Sequence, residues 1–183
     1  MRQLEIQDSD STRVLVKIWR TDDDILNFKL ENEYDKLPAT KRNILSISSR
    51  LFDPLGLLAP IVINAKILLQ KLWEIKLDWD ESIPQYLETD WKNFKSELSQ
   101  VDTINVPRFV GTTVNSSIQI HGFADASMKA YGCCLYVRYS ECNKIKSRLI
   151  VAKSKVAPAK KVKTLPRLEL YASHLFAKLW CKR

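Results

Sequence analysis

Residues 118–156 read IQIHGFADASMKAYGCCLYVRYSECNKIKSRLIVAKSKV. Ile118–Ala124, Tyr131–Tyr139 and Ser147–Lys153 carry the β-branched and aromatic residues that suit strands. The segments between them, DASMKAYG and ECNKIK, hold Asp, Ser, Gly and Asn, which favour turns. The pattern predicts three strands joined by short connections. The period then changes. From Pro166 onward, Leu168, Ala172, Leu175 and Leu179 recur at helical spacing. Between strands and helix lies KSKVAPAKKVKTLP, which reads as a basic, extended loop. The order over residues 103–183 is therefore β-β-β-α.

Upstream, RVLVKIW (13–19) and ILNFKL (25–30) flank RTDDD, and alternating β-prone residues around an Asp-rich turn predict a hairpin. Asp22, Asp23 and Asp24 read better as a solvated turn tip than as a metal cluster, because Asp satisfies turn backbone locally. From Thr40 the period becomes helical. Thr40 is a suitable N-cap for a helix with Ile44, Ile47, Ser48 and Leu51 along one side. Asp53-Pro54-Leu55-Gly56 breaks it, and Pro60 suits the first turn of a second helix. Ile61, Val62, Ala65, Leu68, Leu69, Leu72, Trp73 and Ile75 cover much of that helix, which predicts packing on more than one side. A third helix is predicted from Pro84, with Leu87, Trp91, Phe94 and Leu98 as its core stripe. The whole is an α+β chain: a hairpin and three helices in 1–102, then the β-β-β-α unit in 103–183.

Charge divides the chain at the same place. Residues 1–102 hold 14 basic and 18 acidic side chains; residues 103–183 hold 15 and three. The net charge of +8 thus belongs to the C-terminal part, which favours a polyanion such as nucleic acid, or an anionic membrane surface. Four glycines in 183 residues leave little room for a Gly-rich phosphate loop. Cys133, Cys134, Cys142 and Cys181 form no pair of zinc spacing, and reduced thiols point to an intracellular compartment. Adjacent Cys133 and Cys134 on a strand should face opposite ways. The N-terminus has no secretion-signal core. The most apolar stretch, Leu57 to Leu77, is interrupted by Asn64, Lys66, Gln70 and Lys71, so no membrane span is expected.

Two of the three acids in 103–183 are Asp125, predicted at the end of the first strand, and Glu169, predicted in the first turn of the last helix. If that helix crosses the sheet, both carboxylates reach one edge, and hard cations such as Mg²⁺ prefer such oxygens. Each also has a structural reading: Asp125 as a turn acceptor, Glu169 as a complement to the helix N-terminus. Lys153, Lys155, Lys160, Lys161, Lys163 and Arg167 are the candidates for phosphate contact. Trp73, Trp79 and Trp91 have the faces to stack on bases, but core or domain packing is the stronger expectation. His121 and His174 are expected at packed or surface positions. The only DD lies in RTDDD, so no polymerase YxDD site is present, and no D-T/S-G triplet supports an aspartic peptidase.

HGFADASMKAYG, AKSKVAP and LPRLEL together resemble the RNase H region of BEL/Pao-class retrotransposon pol polyproteins, a family that also carries a peptidase name. TKRNILSISSRLFDPLGLLAPIVINAKILLQKLW resembles the family's connection between reverse transcriptase palm and RNase H, and VKIWRTDDDILNFKL its preceding hairpin. The resemblance implies a palm-end and thumb-connection region in 1–102 and the N-terminal half of an RNase H-like domain in 103–183. It implies that Asp125 and Glu169 are the first two catalytic carboxylates and ligate Mg²⁺. It further implies RNA–DNA hybrid and the remainder of the pol polyprotein as partners, in a cytoplasmic virus-like particle or the nucleus. The family pattern needs a third Asp and a fourth acid, and Glu141, in a turn, is the one other acid after 102. The expectation is a catalytically incomplete fragment. A non-enzymatic nucleic-acid-binding module and a poorly folded element remnant stay open as alternatives.

Overall fold

The structure, a computed structural model, describes residues 3–5, 15–30, 36–109, 117–141, 144–159 and 163–181. Two compact units are formed. The first takes residues up to Phe52 and Asn64–Phe109; the second takes Asp53–Ile63 and the residues from Val110 onward.

The first unit holds a four-stranded antiparallel sheet in the order β1 (Gln3–Glu5), β2 (Leu15–Arg20), β3 (Ile25–Leu30) and β4 (Asn105–Pro107). The predicted hairpin is β2–β3, with Arg20 opposite Ile25. Its turn is anchored. Asp24, at φ 51°, accepts hydrogen bonds from Trp19 Nε1 at 2.9 Å and Arg108 Nε at 2.7 Å. Arg108 also lies over the Trp19 ring, 4.6 Å from its centroid. The guanidinium and the indole donor hold the Asp24 carboxyl below its ordinary range. Of the three turn aspartates, Asp24 is thus a structural anchor. Residues 105–107, which follow the predicted division at 102, pair with β3 and belong to this unit.

Helices α1 (Lys41–Ser49), α2 (Ala59–Glu74) and α3 (Gln85–Ser99) fall where the sequence places them. Thr40 caps α1 by accepting from Asn43 N–H. Leu87, Trp91, Phe94 and Leu98 are all buried, Trp91 to 2 % exposure, and its ring stacks on Phe94. Helix α2 departs from expectation. Its buried residues are Ala65, Leu68 and Leu72, and Trp73 is 53 % exposed.

The second unit is a meander, β5 (Ile118–Ala126), β6 (Ala130–Glu141) and β7 (Lys144–Val156), followed by α4 (Leu165–Trp180). The β5–β6 turn is tight: Ser127 N–H donates to the Ala130 carbonyl at 2.7 Å, and Ser127 Oγ accepts from Ala130 N–H. Cys133, Leu135 and Val151 from the sheet meet Leu175 and Leu179 of α4 in one core. Gly122 lets α4 approach β5, since a Cβ there would overlap the Phe176 ring. Asp53–Ile63 joins this unit through the opposite edge. The Leu55 carbonyl accepts from Ala152 N–H of β7 at 2.8 Å, and Gly56, at φ +72°, lies against the Ala152 backbone. Asp53 fastens the segment by accepting from Leu57 N–H at 3.0 Å and Leu58 N–H at 2.7 Å.

Candidate nucleic-acid interface

Register decides which way each candidate points. Gly122 faces α4, so Phe123 and Asp125 take alternate positions, with Asp125 on the face away from the helix. Phe123 meets Tyr136 edge-on there. A cavity of about 590 Å³ opens beside them, lined by Phe123, Asp125, Cys134 and Tyr136 and, from the 53–63 segment, by Leu57 and Pro60. Asp125 is the penultimate residue of β5, and its Oδ1 accepts from the Ala126 N–H at 2.8 Å.

Glu169 is the fifth residue of α4, past the first turn, which contains no acid. The helix starts at Leu165, one residue before Pro166, so Glu169 falls one position further along it than the sequence predicts. Complementing the helix N-terminus, a first-turn effect, is therefore not its role. Tyr171 meets Tyr131, whose strand partner is Ala126, so this half of α4 lies at the Asp125 end of the sheet. The two carboxylates share one end of the unit and are directed from different layers; neither hydrogen-bonds the other. Among the described residues no three of His, Cys, Asp and Glu gather into a metal-binding group. Oxygen donors of this type fit Mg²⁺. A two-metal centre requires more donors than these two.

The basic candidates separate. Lys153 and Lys155 are in β7 and not in a loop: strand pairing continues to Val156, with Lys153 opposite Cys133 and Lys155 opposite Tyr131. Lysines alternating with Ala152 and Ser154 satisfy the period of a strand, and an edge strand tolerates charge beside the core. Lys163 precedes α4, and Arg167 is exposed on its first turn. Lys160 and Lys161 lie outside the described residues. Two further cations were missed. Arg148 opposite Val137 and Lys146 opposite Tyr139 occupy the same face of β7 as Lys153 and Lys155. Counting alternate positions would not have found them, because a bulge between Leu135 and Tyr136 shifts the register by one. The result is a broken ridge along one strand: Lys146 and Arg148, then buried Val151, then Lys153 and Lys155.

The thiols point as adjacent strand residues must. Cys133 is buried under α4 and Cys134 lines the cavity. Burial pushes both thiols up; at Cys133 the neighbouring Cys134 adds to this and Lys153 opposes it. Trp73 and Trp79 are not core. They are 53 % and 43 % exposed, meet edge-on at 5.4 Å, and hold the Lys41 ammonium 4.3 Å and 5.4 Å from their ring centroids. Lys41 is only 8 % exposed, so the pair is engaged by an internal cation. His121 is exposed, 3.2 Å from Gln119 Oε1, and His174 is exposed on α4.

The family described as the Pao retrotransposon-like RNaseH-like domain matches residues 40–182. The chain belongs to this family. No curated protein matches it. The match to the Pao RNase H-like family takes in α1–α3 as well as the whole described meander and α4. RNase H-like domains in general bind nucleic acid and use a divalent metal ion. This Pao family member is α+β, as the sequence predicts, and no helix among its described residues is long and apolar enough to cross a membrane.

Proposed function

We propose that this chain is a nucleic-acid-handling piece of a retrotransposon pol polyprotein, with RNA–DNA hybrid as its substrate. The observation that carries the reading is the cation ridge of Lys146, Arg148, Lys153 and Lys155 along one face of β7, with Lys163 and Arg167 at the start of α4. Within each pair, Lys146 with Arg148 and Lys153 with Lys155, the cations stand two strand residues apart, about 7 Å, a spacing that suits successive phosphates better than scattered surface charge does. Residues 1–102 serve as the reverse transcriptase palm-end and connection, and residues 103–183 supply the RNase H-like part. Asp125 and Glu169 act as Mg²⁺ ligands within a fuller set contributed by further pol sequence. The 183 residues by themselves bind hybrid without cutting it.

Fluorescence anisotropy with a labelled RNA–DNA hybrid tests the first claim. Lys153→Glu/Lys155→Glu should weaken binding and lower the salt slope by about 2, one unit for each phosphate no longer neutralised. An unchanged affinity and slope would remove the ridge from the interface. Incubation of hybrid with Mg²⁺ tests the second. Cleavage that disappears in Asp125→Asn would show the chain to be a complete nuclease. Equal affinity for hybrid, duplex DNA and single strands would favour the non-enzymatic binding module.

A further inference from the structure

The β7 ridge breaks at Val151, and that is where α4 crosses the sheet. Leu175 and Leu179 share a core with Val151, and Phe176 lies against Gly122, whose partner Leu135 stands opposite Val151. The helix covers β5 and β6 and leaves β7 beside it. Phe176 therefore marks the flank of α4 turned toward β5. At about 3.6 residues per turn, Arg167, Tyr171, His174 and Lys178 line the opposite flank, toward β7. Tyr171 gives the same direction, because it meets Tyr131, the strand partner of Lys155. Glu169, the one acid of α4, lies on the Phe176 flank, and β7 has no acid. The helix thus forms a wall beside β7, and the step between them carries positive charge from both sides.

Lys178 holds the decisive place on that wall. It is exposed, it lies in the last turn of α4, and its neighbours Leu175 and Leu179 set it level with Val151. From Arg148 to Lys153 the ridge has a gap of about 17 Å, longer than the spacing of two phosphates. Lys178 faces that gap from the side. We propose that Lys178 is a further nucleic-acid contact that closes it, so that one strand of a bound RNA–DNA hybrid lies in the step between α4 and β7. The backbone then meets Lys155, Lys153, Lys178, Arg148 and Lys146 in turn. This rests on the reading of the β7 cations as backbone contacts and adds a residue from a second element to them. A further layer of protein core is a poor occupant of the step, since it would bury cations without neutralising them. A repeating anion neutralises each in place and releases its own counterions.

Anisotropy titrations of the full chain with labelled hybrid at several salt concentrations test it. Lys178→Gln should lower the salt slope by about 1 and weaken binding roughly eightfold at 0.1 M salt, the effect of one lost phosphate contact. Lys178→Arg, which keeps the charge, should bind as the parent does. Lys92→Gln on α3 removes the same charge away from the step and should also bind as the parent does. An equal loss in Lys92→Gln would assign the effect to net charge and overturn the inference. Lys178 also complements the C-terminus of α4, which concerns stability and is read separately by thermal melts. A Lys178→Gln chain that melts lower but keeps the parent's slope would make Lys178 a helix-end cation and overturn the inference. The Lys153→Glu/Lys155→Glu chain separates the two readings. If it loses affinity while Lys178→Gln does not, the closed row falls and the ridge stands; if neither changes, the ridge falls and the closed row with it.

Discussion

Replacing Gly56 by alanine should loosen the Asp53–Ile63 segment from the sheet. Two costs combine. Gly56 has φ +72°, and a left-handed backbone costs a residue with a Cβ about 1–2 kcal/mol. The new Cβ would also overlap the Ala152 carbonyl oxygen and stand 2.6 Å from the carbonyl carbon. These are backbone atoms of β7, held in place by pairing with Cys134, so they cannot turn aside as a side-chain tip would. Overpacking of that kind costs about 1–3 kcal/mol. The sum, about 2–5 kcal/mol, is a large part of the stability of a typical domain. The cheapest relief is withdrawal of the segment, which breaks the bond from Ala152 N–H to the Leu55 carbonyl. Urea denaturation measures the loss, and hydrogen exchange at the Ala152 amide reports where it occurs. Gly56→Asn separates the terms, because Asn tolerates the left-handed region and retains the clash. A Gly56→Ala chain within about 0.5 kcal/mol of the parent, with Ala152 still protected, would refute the reasoning.

Two further outcomes follow from the charges and thiols. The Arg108 and Trp19 hydrogen bonds hold the Asp24 carboxyl below its ordinary value of 3.8, so their stabilisation is present above that value and lost as pH falls through the lowered one. Acid titration of the first unit by Trp fluorescence should show this limb below about pH 4, and Arg108→Ala should flatten it; an unchanged limb would contradict the assignment. Among the described cysteines, exposed Cys181 should be alkylated well before Cys133 and Cys134, whose burial raises their thiols. Peptide mapping after brief iodoacetamide treatment checks this order, and early labelling of Cys133 would contradict the packing of α4 on the sheet.

Much of the fold was legible because it is local. The α3 stripe of Leu87, Trp91, Phe94 and Leu98 is a matter of helical period, and the meander is a matter of alternation and turn residues. The candidate site was legible in its residue types and less so in its arrangement. Strand pairing extends through Val156, which takes Lys153 and Lys155 out of the predicted loop. A bulge aligns Arg148 and Lys146 with them, and no alternation rule reports a bulge. Trp73 looked like part of a helix packed on more than one side, yet it is exposed over Lys41, because the apolar face of a helix is chosen by its neighbours.

By itself the sequence determined the order of elements, the concentration of positive charge in residues 103–183, and the family, through HGFADAS and LPRLEL. These depend on composition and on neighbours a few residues apart. Only the tertiary structure decided that Asp24 is anchored by Arg108, 84 residues away, and that β4 completes the first sheet. It also decided that Asp125 points away from α4 and that Gly56 seats its loop on Ala152. Each of these needs two distant segments to meet in a particular register. Register is set by side chains packing across the sheet and helix, which no single stretch of the chain contains.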